Sequence, residues 1–135
     1  MHAKKHKSGW LFTAAIGSGL ALVVLGILVA LLTGLILNGR IGEGSSERIV
    51  YGMHIVSILI GTELAKRICA NNEMRIPITV GITYAVFCMV AGMMLEGTFR
   101  NMLLHIIAIC SGVAISCALC IHRAKRSGKR KKGVW

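Results

Sequence analysis

The sequence predicts an all-α polytopic membrane protein, a four-transmembrane-helix antiparallel bundle with no soluble domain. Three observations predict it. Residues 8–39, SGWLFTAAIGSGLALVVLGILVALLTGLILNG, contain no charge, and a helix crossing a bilayer needs only about 20 apolar residues. Three further apolar runs follow, divided by short polar segments. Hydrophobic residues make up 55% of the chain and charged ones 16%, against roughly 45–50% and a quarter in soluble domains. Lipid is therefore the solvent for most of the chain, and no polar segment is long enough to bury a core of its own.

The first span is read as residues 10–37. Its basic approach, MHAKKHKS, mimics a secretion signal. The apolar run is about twice the length of a cleaved signal's core, so an uncleaved signal-anchor is expected. Trp10 and Phe12 sit where an interfacial aromatic belt belongs. Asn38-Gly39 supplies the helix stop. A Gly/Ser-rich loop over residues 38–48 leads to the second span, residues 49–65, which is close to the lower length limit for a crossing. Asn71-Asn72 marks a turn between basic residues. Pro77, the only proline, fits the first turn of the third span, residues 76–95. The fourth span is residues 102–121. The tail, residues 122–135, is strongly basic and is expected to be disordered in isolation.

Orientation follows from the distribution of charge. Of 16 Lys and Arg, 13 lie in the N-terminus, the second connection and the tail, and 3 lie in the first and third connections. Four spans put the three basic segments on one side. The positive-inside rule then places both termini in the cytoplasm of a cell whose plasma membrane the chain spans.

Small residues recur at i, i+4, which brings them to one helix face and lets backbones approach. The stripes are Ala14/Ser18 and Gly26/Ala30/Gly34 on the first span, Gly81/Ala85 and Cys88/Gly92 on the third, and Gly112/Ser116/Cys120 on the fourth. Packing within one copy is the plainer reading; a homo-oligomer or a membrane-protein partner is the other. Glu63 is a carboxylate inside a span and so a candidate ion- or proton-coupling residue. Lys66 and Arg67 follow at i+3 and i+4, which favours an ion pair near the interface. Glu96 and Arg100 repeat that spacing.

His54 is the second coupling candidate, with Ser57 and Gly61 near its face. His105 lies near the start of the fourth span. A proton relay or a metal site is conceivable for two histidines, but the companion ligands of a metal site are missing from the pattern, so interhelical hydrogen bonding is expected. Cys117-x-x-Cys120 with His122 beside it lies late in a helix, where a redox or metal pair gains no activation, and Ile121 breaks a haem-attachment motif. These cysteines read as small apolar residues. Metal, cofactor and catalytic sites are not expected: phosphate-binding loop, catalytic triad and paired carboxylates are all missing from the sequence pattern.

A net charge of +11 in a soluble protein would suggest nucleic acid. Here the basic residues read as topogenic signals and contacts to anionic headgroups, each contributing roughly 1 kcal/mol near such a surface. They are Lys4, Lys5, Lys7, Lys66, Arg67, Arg123, Lys125, Arg126, Lys129, Arg130, Lys131 and Lys132. Nucleic-acid binding is disfavoured because no aromatic interleaving accompanies them.

The junction IGTELAKRICANNEMRIPITVGITYAV combines a Gly-containing helix end, a basic pair, a short polar turn and then Gly81-Ile-Thr-Tyr84. With the chain's length, layout and basic C-terminus, it resembles an uncharacterised family of small four-span bacterial integral membrane proteins. That family's second span often ends in paired glycines, where this chain has Gly61-Thr62. The resemblance implies a fold and a membrane location, and no activity. The reading is thus a small non-enzymatic membrane protein with a structural or accessory role. The alternatives are a subunit of an oligomeric transporter or channel using Glu63 and His54, and an anchor that holds an acidic partner through the basic tail.

Overall fold

A computed structural model of the protein describes residues 9–69, 73–96 and 102–132, with residues 43, 95, 96 and 129–132 described in backbone alone. Lys4, Lys5, Lys7, the Asn71-Asn72 turn, the Glu96–Arg100 pairing and the side chains of Lys129, Arg130, Lys131 and Lys132 lie outside the described residues. The described chain forms four α-helices: α1 (Trp10–Leu37), α2 (Glu43–Cys69), α3 (Arg75–Glu96) and α4 (Met102–Lys132). Each is long and apolar enough to cross a membrane.

Capping at the end of α1 follows directly from its sequence. Gly39 takes φ +68°, a left-handed conformation that glycine adopts without a side-chain clash. Its N–H donates to the Ile36 carbonyl at 2.9 Å, and the Arg40 N–H donates to the Leu35 carbonyl at 3.1 Å. These two bonds form a Schellman stop.

Two ends extend past the apolar spans. α2 starts at Glu43 rather than at residue 49 and continues to Cys69. α4 continues as helix to Lys132, through the tail expected to be disordered. The membrane sets where a helix must be apolar, not where backbone hydrogen bonding must end. The tail contains no proline and is rich in Arg and Lys, which are good helix formers. Its cations also sit at the C-terminal end of the helix dipole, where positive charge is favourable.

Helix α2 is the centre of the bundle: 44% of its most apolar window is buried, against 11% for α1. It can be the least apolar span because protein rather than lipid surrounds much of it. α1 and α3 run in one direction and α2 and α4 in the other. Ala14 packs with Ile76 and Val80 near Trp10, and a second core joins Ala21, Ile58, Tyr84 and Ile109. Backbones approach closely at the α1–α2 crossing, where a side-chain carbon on Gly61 would lie 2.7 Å from both the nitrogen and the Cβ of Ala21.

The small-residue stripes divide into two groups. A Cβ on Gly81 would overlap Val113, Gly112 lies against Ile55 and Ile58, and Ala85 packs on the second core. Gly26 and Ala30 instead face outward; a Cβ on Gly26, Gly34 or Gly92 would meet nothing within 4 Å. The contact face of α1 is built from Thr13, Ala14, Gly17, Ser18 and Ala21. Gly26 lies nine residues beyond Gly17, about 180° round the helix at 3.6 residues per turn. Spacing identifies a face; it does not say which face meets a neighbour. Gly26→Leu and Ala30→Leu should therefore shift the stability of the isolated bundle by no more than about 0.5 kcal/mol. A thermal-unfolding scan in detergent checks this, and a large fall in midpoint would contradict it.

Candidate functional site

Two polar clusters lie along the interface of α2 and α4, one near each end. The first is at the end of the bundle that carries residues 9 and 132. Lys66 follows Glu63 at i+3 on α2, so both project from nearly the same side of the helix. Lys66 donates to Glu63 Oε1 at 3.2 Å, and Arg123 of α4 donates to Glu63 Oε2 at 2.5 Å. The Lys66 ammonium also donates to the Cys120 sulfur at 2.7 Å. The Lys66 side chain is only 2% exposed and that of Glu63 18%, whereas that of Arg123 is 49% exposed. Each carboxylate oxygen thus accepts from one cation, and the pairing ties α2 to α4. Lys66 is turned inward and does not offer its charge to a headgroup; Arg67, Arg123, Lys125 and Arg126 are exposed.

The second cluster is further along α2. His54, 6% exposed, faces Tyr84 of α3 and His105 of α4. Its Nδ1 lies 2.7 Å from the Tyr84 hydroxyl, and its Nε2 lies 3.1 Å from His105 Nδ1. Both ring pairs meet edge to face, with centroids 5.8 Å and 5.0 Å apart. Tyr51 adds a further edge contact to His105 at 5.1 Å. Two proton arrangements satisfy the chain. In one, Tyr84 donates to His54 and His54 donates to His105. In the other, both bonds run in reverse. The chain starts at the fully buried Tyr84 and leads to the partly exposed His105, one turn into α4.

Between the clusters the interface changes character twice. Ile58, fully buried, packs on Gly112. Four residues further along lie Thr62 on α2 and Ser116 on α4. Both are fully buried, and among the described residues neither hydroxyl has a hydrogen-bond partner. The contacts Ile58–Gly112 and Lys66–Cys120 fix the register of these parallel helices, and Thr62 and Ser116 fall at one level midway between them. Ser57 differs: its hydroxyl donates to the Met53 carbonyl at 2.7 Å.

The sequence names Glu63, Lys66, His54 and His105. It does not name Arg123 as a partner of Glu63 or Tyr84 as a partner of His54. The signal available for Tyr84 was a phenol in mid-span, where a hydroxyl needs a partner. Cys117 and Cys120 are free thiols, and among the described residues no group of three His, Cys, Asp or Glu side chains converges to hold a metal. Family models, curated proteins and solved structures were compared with the chain, and none matches it.

Proposed function

We propose that this chain is a small non-enzymatic protein of the plasma membrane, of bacterial type, with both termini cytoplasmic and a structural or accessory role. The observation that carries the reading is the pairing of Glu63 with two cations. A carboxylate that binds and releases an ion needs negative charge not already balanced, and here Lys66 and Arg123 each pair with one of its oxygens. Charge in this interior serves to lock helices. The 13-to-3 split of basic residues supports the orientation, and the exposed Arg67, Lys125 and Arg126 suit anionic headgroups.

Glu63→Gln tests this. A locking role predicts a lower thermal midpoint in detergent, with the electrical and transport properties of reconstituted vesicles unchanged. An unchanged midpoint together with a lost ion flux would overturn it. The orientation makes a separate prediction: an enzyme reporter that works only in the cytoplasm, fused after Trp135, is active. Activity from an exported-only reporter at that position would reverse the topology.

A second reading, a subunit of a small transporter or channel, is favoured by one observation. His54, Tyr84 and His105 form a hydrogen-bonded chain inside a membrane span, and ionisable side chains at such depth often lie on proton paths.

A further inference from the structure

We propose that the α2–α4 interface is a proton pathway with a water-binding site at Thr62 and Ser116 and an apolar closure at Ile58. The inference rests on the second reading above and names its ion, its route and its gate.

A hydroxyl in a membrane helix is ordinarily satisfied by the carbonyl one turn earlier, as Ser57, Thr79 and Ser111 show here. Thr62 and Ser116 forgo that bond, yet both are fully buried. A buried hydroxyl left alone costs about 1–3 kcal/mol. Two at one level, on facing helices, form a polar site of the kind that holds a water molecule. That water would lie one turn from Lys66, whose ammonium reaches Glu63 and Cys120.

On the other side of Ile58, one turn away along α2, lies His54, joined to His105. The groups that face His54 are Tyr84 from α3 and His105 from α4. In sequence, the seam reads His105, His54, Ile58 with Gly112, Thr62 with Ser116, Lys66 with Cys120, and Glu63 with Arg123. Its polar groups run the length of the interface and are interrupted at one level. There Gly112 brings the α4 backbone close, and the Ile58 side chain fills the space. An apolar constriction blocks hydrated ions and protons by excluding water, and brief wetting opens it.

Conduction would proceed by transfer along hydrogen bonds. His105 takes a proton from the aqueous side and passes the one on its other nitrogen to His54. His54 passes the proton on its Nδ1 to the Tyr84 hydroxyl, and the proton that the hydroxyl gives up moves through transient water past Ile58 to the Thr62–Ser116 water. From there it leaves through further transient water to the medium at the end bearing the termini, past the Glu63–Lys66–Arg123 lock, which takes no proton. One proton leaves one side and one appears on the other; the passage turns one proton arrangement of Tyr84, His54 and His105 into the other, and rotation of the rings and the hydroxyl restores the first.

The test is proton flux into phospholipid vesicles containing the purified full chain and a trapped pH dye, driven by a pH step with potassium and valinomycin present. Ile58→Thr keeps the branched shape and wets the closure, so it should raise the flux about tenfold over wild type. Adding Thr62→Val and Ser116→Ala, which remove only the unmatched hydroxyls, should return it to the wild-type level. The Ile58→Val protein controls for the change in volume and should stay at that level. Helical circular dichroism and a single elution peak establish that each variant is folded.

Folded Ile58→Thr protein with the flux of empty vesicles overturns the pathway. So does a raised flux that survives removal of both hydroxyls. A parallel assay with potassium or sodium as the permeant ion separates the two levels of the inference. Metal-cation flux without proton flux leaves the transporter reading standing and removes the proton path. Absence of every flux removes both.

Discussion

Gly61→Leu is expected to lower the thermal midpoint of the purified bundle more than any substitution on the outward face of α1. A Cβ at position 61 would lie 2.7 Å from the Ala21 nitrogen, the Ala21 Cβ and the Gly17 carbonyl oxygen. Two of those three atoms belong to backbone, so no rotamer change relieves the clash. The helices must separate, and the contacts on both sides of the crossing loosen with them. Those contacts include Ala21 in one core and Ala14 in the other. Interiors packed at crystal density accept extra volume poorly, and overpacking costs about 1–3 kcal/mol, more where backbone must move. A loss near 3 kcal/mol is expected for leucine and about 1 kcal/mol for Gly61→Ala. Ala21→Gly added to Gly61→Ala should restore part of the loss, since it removes the Cβ of one neighbour. The measurement is thermal or denaturant unfolding in one detergent, followed by circular dichroism. Equal midpoints for Gly61→Leu and Gly26→Leu would contradict the crossing described here.

What could be read from the sequence divides along physical lines. The bounds of α1 were legible because a charge-free run and an Asn-Gly stop are both local signals. The early start of α2 and the helical tail were not, because hydropathy tracks the solvent around a helix and not its backbone hydrogen bonds. Glu63 with Lys66 was legible as a pair within one helix, whereas Arg123 is 60 positions away in sequence from Glu63 and only the packing of α4 on α2 brings it there. His54 and His105 were each visible, but their hydrogen bond depends on how two helices are rotated. Rotation also decided the fate of the small-residue stripes: Gly81 and Gly112 turned inward and Gly26 outward, with identical spacing. In a membrane protein this ambiguity is inherent, because lipid-facing and core-facing residues are equally apolar.

The charged lock offers the second large effect, and it is asymmetric. Glu63→Ala should destabilise the bundle by about 3 kcal/mol, since it leaves the Lys66 ammonium buried with only the Cys120 sulfur as partner. Lys66→Ala should cost less, about 1–2 kcal/mol, because Glu63 keeps Arg123 and reaches solvent more readily than Lys66 does. Arg123→Ala should cost below about 1 kcal/mol, the usual worth of an ion pair with a partner half in solvent. The decisive variant is the double replacement Glu63→Gln with Lys66→Met. Taking both charges out removes the desolvation cost along with the attraction, and a methionine fills much of the lysine's volume. The double variant should therefore lie within about 1 kcal/mol of wild type and above Glu63→Ala. Unfolding midpoints of the wild type and the four variants in one detergent measure the order. If Lys66→Ala is the most damaging, the burial of Lys66 is tolerated through contacts other than Glu63, and the carboxylate is not what holds it in place. If the double variant falls as far as Glu63→Ala, the loss comes from packing at position 63 and not from an uncompensated charge.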